Sequence, residues 1–142
     1  MKFTARTSWV GSTGLGWENY DRSHTARVSD QTVALTTAEE KGDPHLANPE
    51  LLVLAAASSC QMLWFLHLAS KARIDVVSYE DDCEAEMPDD RFTRIVLRPE
   101  ITVKGEASED RVLKLCEQAH RHCNVAKSLG CPVEVEPRLA AG

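Results

Sequence analysis

The chain has no surplus of basic residues: 16 lysines and arginines stand against 22 aspartates and glutamates, a formal charge of −6. A face that tracks a phosphate backbone needs clustered cations, so this balance argues against nucleic acid as a partner and leaves small or apolar substrates. The start, "MKFTARTSWV", lacks the cationic stretch, apolar run and small-residue cleavage site of an export signal and alternates like a strand, so a cytoplasmic location is expected. The 5 cysteines are an odd number without the dense spacing of a secreted disulfide scaffold, which fits a reducing compartment with at most one redox-active pair. Also missing are internal repeats, low-complexity tracts, a glycine-rich phosphate loop and a nucleophile-elbow serine motif. With 142 residues, a single domain spanning 1–142 is expected. A chain of that size buries about 68–70% of the surface its unfolded form exposes.

Charge is absent, too, from the longest apolar run, "ANPELLVLAAASSCQMLWFLHLASKARI", which has none between Glu50 and Lys71. Asn48 as N-cap, Pro49 at the first helical position and Glu50 in the first turn predict a helix from Pro49 to about Arg73. Its 20 uncharged residues just reach the length of a membrane span, but Ser58, Ser59, Gln61, His67 and Ser70 would then sit in hydrocarbon. No membrane association is expected. A helix apolar on nearly every side must instead be wrapped by other structure.

Residues 2–10 and about 25–37 read as strands of a hairpin joined across "GSTGLGWENYDRS". "VVSYEDDCEAEM" alternates, with Val77, Tyr79, Cys83, Ala85 and Met87 on the inner face. After the turn "PDDR", "FTRIVLRPEITVKG" directs Ile95, Leu97, Ile101 and Val103 inward, with Pro99 marking an edge or bulge. A second helix opens at Ser108, and its stripe Val112, Leu115, Cys116, Ala119 and Cys123 points Cys123 inward. "CPVEVEP" adds a short strand carrying Val133 and Val135. The fold class is α+β, with antiparallel strands around one or two buried helices.

Free cysteine packs as a small apolar residue, which suffices for Cys83 and Cys116 on the apolar faces of their elements and, less clearly, for Cys131 before Pro132. Cys60 in "SSCQ" and Cys123 in "HCNVAKS" differ, because small and polar neighbours surround them where plain packing favours Leu, Ile or Val. Reactivity and packing both remain open for these two, since only a thiolate reacts. A metal site built from Cys116, His120, His122, Cys123 and Cys131 fails on geometry: helical residues two apart point about 200° apart, and residues seven apart are about 10 Å apart. His67 lies the same two turns from Cys60, too far for a papain-like pair.

Taken together, "ANPELLVLAAASSCQMLWFLHLASKA" and "AHRHCNVAKSLGCPVEVEP" resemble the osmotically inducible protein C / organic hydroperoxide resistance family, from Trp9 to Val135. The shared features are an Asn-Pro-Glu helix start, a cysteine about ten residues later, and a second cysteine before an "xVAxSL" pattern, here Asn48, Pro49, Glu50, Cys60 and Cys123. The resemblance implies an OsmC-like fold, its sheets wrapped around two long helices in an intertwined homodimer. It also implies a thiol peroxidase without cofactor or metal, with Cys60 peroxidatic and Cys123 resolving. The substrate would be an organic hydroperoxide or hydrogen peroxide, and an external dithiol would regenerate the pair. An arginine, carried over to Arg22 with Arg27 as the second candidate, would hold the thiolate, and Glu50 would orient it. Where well-known branches have an aromatic residue after the first cysteine and proline after the second, this chain has Gln61 and Asn124. Glu50 and Cys60 are about 15 Å apart along one helix, so a Glu50 that serves a Cys60 site must come from a partner subunit. The competing reading is a dimeric module that binds an apolar ligand or senses oxidants without turnover.

Overall fold

The computed structural model describes residues 1–140, and the chain divides into two compact units, Met1–Val53 and Leu54–Gly142. In the first, β1 (Arg6–Ser8), β2 (His24–Val28) and β3 (Gln31–Leu35) form an antiparallel sheet in that order. The expected N-terminal hairpin is present, but the stretch read as one strand over 25–37 is itself two. The chain reverses at Ser29 and Asp30, with Ser29 in the left-handed region at φ 55° and Val28 facing Gln31. Ser-Asp lacks the glycine that usually announces such a turn, so alternation carried the reading through it. β1 is also shorter than the expected 2–10.

The loop after β3 is tied down by Thr36, whose N–H donates to the Ala47 carbonyl at 2.9 Å and whose Oγ1 accepts from the Asp43 N–H at 3.1 Å. It delivers the chain to α1 (Pro49–Lys71), where Asn48 Oδ1 accepts from the Leu51 N–H at 2.9 Å, as an N-cap should. At the far end Arg73 has φ 59°, Ile74 N–H donates to Ala69 O and Arg73 N–H to Ser70 O. Those two bonds are a Schellman stop, which ends α1 two residues earlier than expected without a glycine.

In the second unit, β4 (Asp75–Asp81) pairs antiparallel with β7 (Pro99–Lys104), and β5 (Glu84–Glu86) pairs antiparallel with β6 (Arg94–Leu97). The two segments thus fold back on each other as one long hairpin, which passes between two sheets at Arg98, whose N–H donates to Asp81 Oδ1 at 2.6 Å. Pro99 opens β7 opposite Asp81. A bulge between Val76 and Ser78 turns Val77 outward to 56% exposure, against the inward position that simple alternation gave it, and Met87 is likewise exposed, beyond the end of β5. β8 (Val133–Val135) and β9 (Arg138–Leu139) join β6 and β7 in parallel, so these sheets are mixed rather than antiparallel throughout.

α2 (Glu109–His122) starts at Ser108, whose side chain accepts from the Arg111 N–H, and α3 (Asn124–Ser128) follows directly after Cys123. Phe65 and Ala69 of α1, Ile74, Ile101 of β7, and Val112, Cys116 and Ala119 of α2 make the core of this unit. The class is α+β, as expected. Within this unit, α1 turns Leu63, Ser59 and His67 outward, with Leu63 60% exposed. The expected wrapping is therefore one-sided in the single chain.

Candidate functional site

Two turns of α2 carry Cys116 and Cys123 to the same buried face, and both are about 1% exposed. Cys123 occupies the junction where α2 ends and α3 begins, and its Sγ caps α3 by accepting from the Ala126 N–H at 3.5 Å. Opposite it on α1 stands Cys60, half-buried, and the two side chains meet although both thiols are free. Burial pushes the Cys123 thiol's pKa up, the Ala126 N–H draws it partly back, and hydrogen bonding with the Cys60 side chain raises it again. Cys123 thus keeps its proton beside the more accessible sulfur.

The seam between α1 and α2 has two further contacts. Gln61, fully buried, donates from Nε2 to the Cys116 carbonyl at 3.0 Å, while its Oε1 has no partner among the described residues. One turn on, Trp64 stacks on His122 with ring centroids 4.9 Å apart and takes His67 edge-on at 5.8 Å. His67 and His122 thus both pack on Trp64.

On the sheet side, Ser58 Oγ donates to Asp81 Oδ2 at 2.6 Å. Cys83 lies beside them: burial raises its pKa, Asp81 raises it further, and hydrogen bonding with Ser58 lowers it. Tyr79 Oη is buried without a partner among the described residues, and burial, then Asp81, then Cys116, Cys123 and Cys83 hold its pKa up. Burial also pushes the Cys116 thiol up to about 12, which leaves it inert at neutral pH. Behind α2, a cleft of about 450 Å³ runs between Leu113, Cys116 and His120 on one side and Val133, Val135 and Pro137 on the other.

Arg22 belongs to the first unit. Its guanidinium lies 3.6 Å over the Tyr20 ring and donates to the Tyr20 and Trp17 carbonyls at 2.6 Å each. Arg27 is on β2, facing Arg6 and Thr32 across the sheet. Glu50 Oε2 is buried with no hydrogen-bond partner among the described residues, and within the first unit it forms no ion pair with Arg22 or Arg27. Of the residues expected at a site, the structure joins Cys60 and Cys123. Gln61, Tyr79, Ser58 and Asp81 are additions; a glutamine on the apolar helix and a tyrosine on the inner strand face were the only signals in sequence.

Solved structures share this architecture. An OsmC-like protein of unknown function from Vibrio cholerae is 24% identical, with 99% of each chain covered and a TM-score of 0.85. An organic hydroperoxide resistance protein OsmC from Legionella pneumophila is 18% identical over 98% of each chain at a TM-score of 0.63. The organic hydroperoxide resistance protein OhrB of Bacillus subtilis is 20% identical over 97% of this chain and 98% of its own, at 0.61. At these identities the likeness is one of fold. No curated protein matches. The sequence pattern described as OsmC-like protein matches residues 42–138, which span the whole of α1 and α2 and both facing cysteines, and the chain belongs to the OsmC-like family.

Proposed function

We propose that the protein is a cysteine-based peroxidase that reduces organic hydroperoxides or hydrogen peroxide. The observation that carries this reading is the meeting of Cys60 and Cys123, 63 residues apart in sequence, with one thiol half-buried and the other fully buried and protonated. Membership of the OsmC-like family, and structural neighbours described as organic hydroperoxide resistance proteins, support a peroxide-related role. Cys60, as thiolate, attacks the distal peroxide oxygen; the O–O bond breaks, the alcohol leaves with a proton, and the sulfur becomes a sulfenic acid. Cys123 then attacks that sulfur, water leaves, and a Cys60–Cys123 disulfide forms. An external dithiol reduces it by two exchanges, becoming a disulfide itself.

Arg22 is proposed as the charge that favours the Cys60 thiolate, with Arg27 second. Glu50, half-buried and with its Oε2 unpartnered among the described residues, would orient that arginine from a partner subunit. The outward stripe of α1 around Leu63 is the surface such a homodimer would cover. Turnover of an alkyl hydroperoxide with a dithiol donor tests the reading: activity that vanishes in Cys60→Ser supports it, and wild-type inactivity or an active Cys60→Ser variant removes it. The second reading, an apolar-ligand module without turnover, draws on the cleft behind Cys116. It gains if an apolar probe binds there stoichiometrically while no peroxide is consumed.

A further inference from the structure

Gln61 is the one fully buried polar residue of α1, and it sits beside Cys60. A methionine or leucine would fill the same space without the amide, whose Oε1 has no partner in the core among the described residues. Burying an unmatched acceptor opposes folding, so the amide must do something that apolar packing does not. Its Nε2 supplies the buried side-chain hydrogen bond between α1 and α2, at the Cys116 carbonyl, two helical turns before Cys123 on the same face; the other tie, from Arg111 Nη2 to the Ala72 carbonyl at 2.9 Å, is exposed and lies past the end of α1. A hydrogen bond tolerates only a few tenths of an ångström, while apolar side chains slide past one another. A single buried polar residue is therefore able to fix the register of two helices at the expense of stability.

We propose that Gln61 is a positioning residue for disulfide formation: its amide locks the register of α1 against α2 so that the sulfurs of Cys60 and Cys123 stay apposed. The inference rests on the peroxidase reading and adds a division of labour to it. A slip of α1 by one residue moves Cys60 about 1.5 Å along the seam and turns it by about 100°, enough to separate the sulfurs. The Trp64–His122 stack, on the same seam, limits tilt but leaves sliding free, because stacked rings shear easily. Oxidation of Cys60 by peroxide needs only one thiol and is independent of register. Condensation of the sulfenic acid with Cys123 needs both.

The test compares wild type with Gln61→Met, which keeps the volume and removes the amide, and with Gln61→Glu. Two quantities are read by mass spectrometry: the equilibrium of the Cys60–Cys123 disulfide against glutathione, and the lifetime of the Cys60 sulfenic acid after one equivalent of peroxide. The expected result for Gln61→Met is a drop of roughly tenfold in the equilibrium constant and a sulfenic acid about tenfold longer lived, with first oxidation of Cys60 unchanged. Gln61→Glu should match wild type near pH ~6, where a buried neutral carboxylic acid donates to the Cys116 carbonyl, and match Gln61→Met near pH ~9, where it has lost that proton. This pH-dependent rescue also decides the matter if Gln61→Met fails to fold. Wild-type values in Gln61→Met, or a Gln61→Glu ratio to wild type that does not change with pH, overturn the inference and leave the peroxidase reading intact. A wild-type protein that forms no disulfide with glutathione overturns both.

Discussion

The Cys60 side chain of α1 meets that of Cys123, the residue at which α2 gives way to α3, and the contact helps keep the proton on Cys123. Their environments divide the labour, because the half-buried sulfur is open to a peroxide and the buried one waits protonated. The two serine variants should therefore behave differently. Cys60→Ser should consume no peroxide, whereas Cys123→Ser should consume one equivalent and stop as a sulfenic acid. Trapping with a sulfenic-acid reagent, followed by peptide mapping, checks this; equal loss of the first turnover in both variants contradicts it.

Alkaline stability follows from two buried acids. The Cys116 thiol is raised from 9.0 to about 12, and Tyr79 is raised as well, both chiefly by burial. In each case the folded protein holds its proton more tightly than the unfolded chain; the Cys116 stabilisation is complete below pH 9 and is lost as pH rises toward 12, and the Tyr79 loss sets in only above pH 10. Urea unfolding at a series of pH values should show the midpoint falling across that window. Cys116→Val should flatten the fall, and an unchanged slope would count against this assignment.

Asp81, at the end of β4, accepts from one backbone group, the Arg98 N–H, and from one side chain, Ser58 Oγ. After burial, its charge is the largest influence raising the Cys83 pKa. Asp81→Asn should make Cys83 alkylate a few-fold faster near pH ~8, because removing a neighbouring anion favours the thiolate. Peptide-resolved iodoacetamide kinetics measure it. Slower or unchanged labelling of Cys83 would show that burial alone sets its reactivity.

Phe65 anchors the second unit, fully buried against Tyr79 with ring centroids 5.7 Å apart. Phe65→Ala should destabilise by about 3–5 kcal/mol, from lost transfer energy and the remaining cavity. Asn48→Ala should cost only about 1 kcal/mol, through the missing cap on Leu51. Denaturant titration of both variants tests the ranking, which reverses if α1 is held mainly by its start.

Legibility in sequence followed the range of the physics involved. The caps at Asn48 and Ser108 and the inward stripe of α2 involve residues within one or two turns, so they could be read directly. The reversal at Ser29 and the Val76/Ser78 bulge could not, because neither uses the glycine or proline that marks such breaks. The likeness of Cys60 and Cys123 came from motif spacing, yet their contact depends on how α1 lies against α2, which periodicity leaves free. Gln61 stood out as polar in an apolar run, but its bond to Cys116, 55 positions away, is a tertiary fact. Arg22 is engaged with the Tyr20 and Trp17 carbonyls of its own loop, contacts that no spacing in the sequence announces.

Mass spectrometry of the wild-type protein after one equivalent of an alkyl hydroperoxide tests the central claim most directly. The expected spectrum shows a single intramolecular bridge linking the peptides of Cys60 and Cys123, with Cys83, Cys116 and Cys131 still reduced. Recovery of both thiols unmodified, or a bridge that leaves Cys60 out, would contradict it.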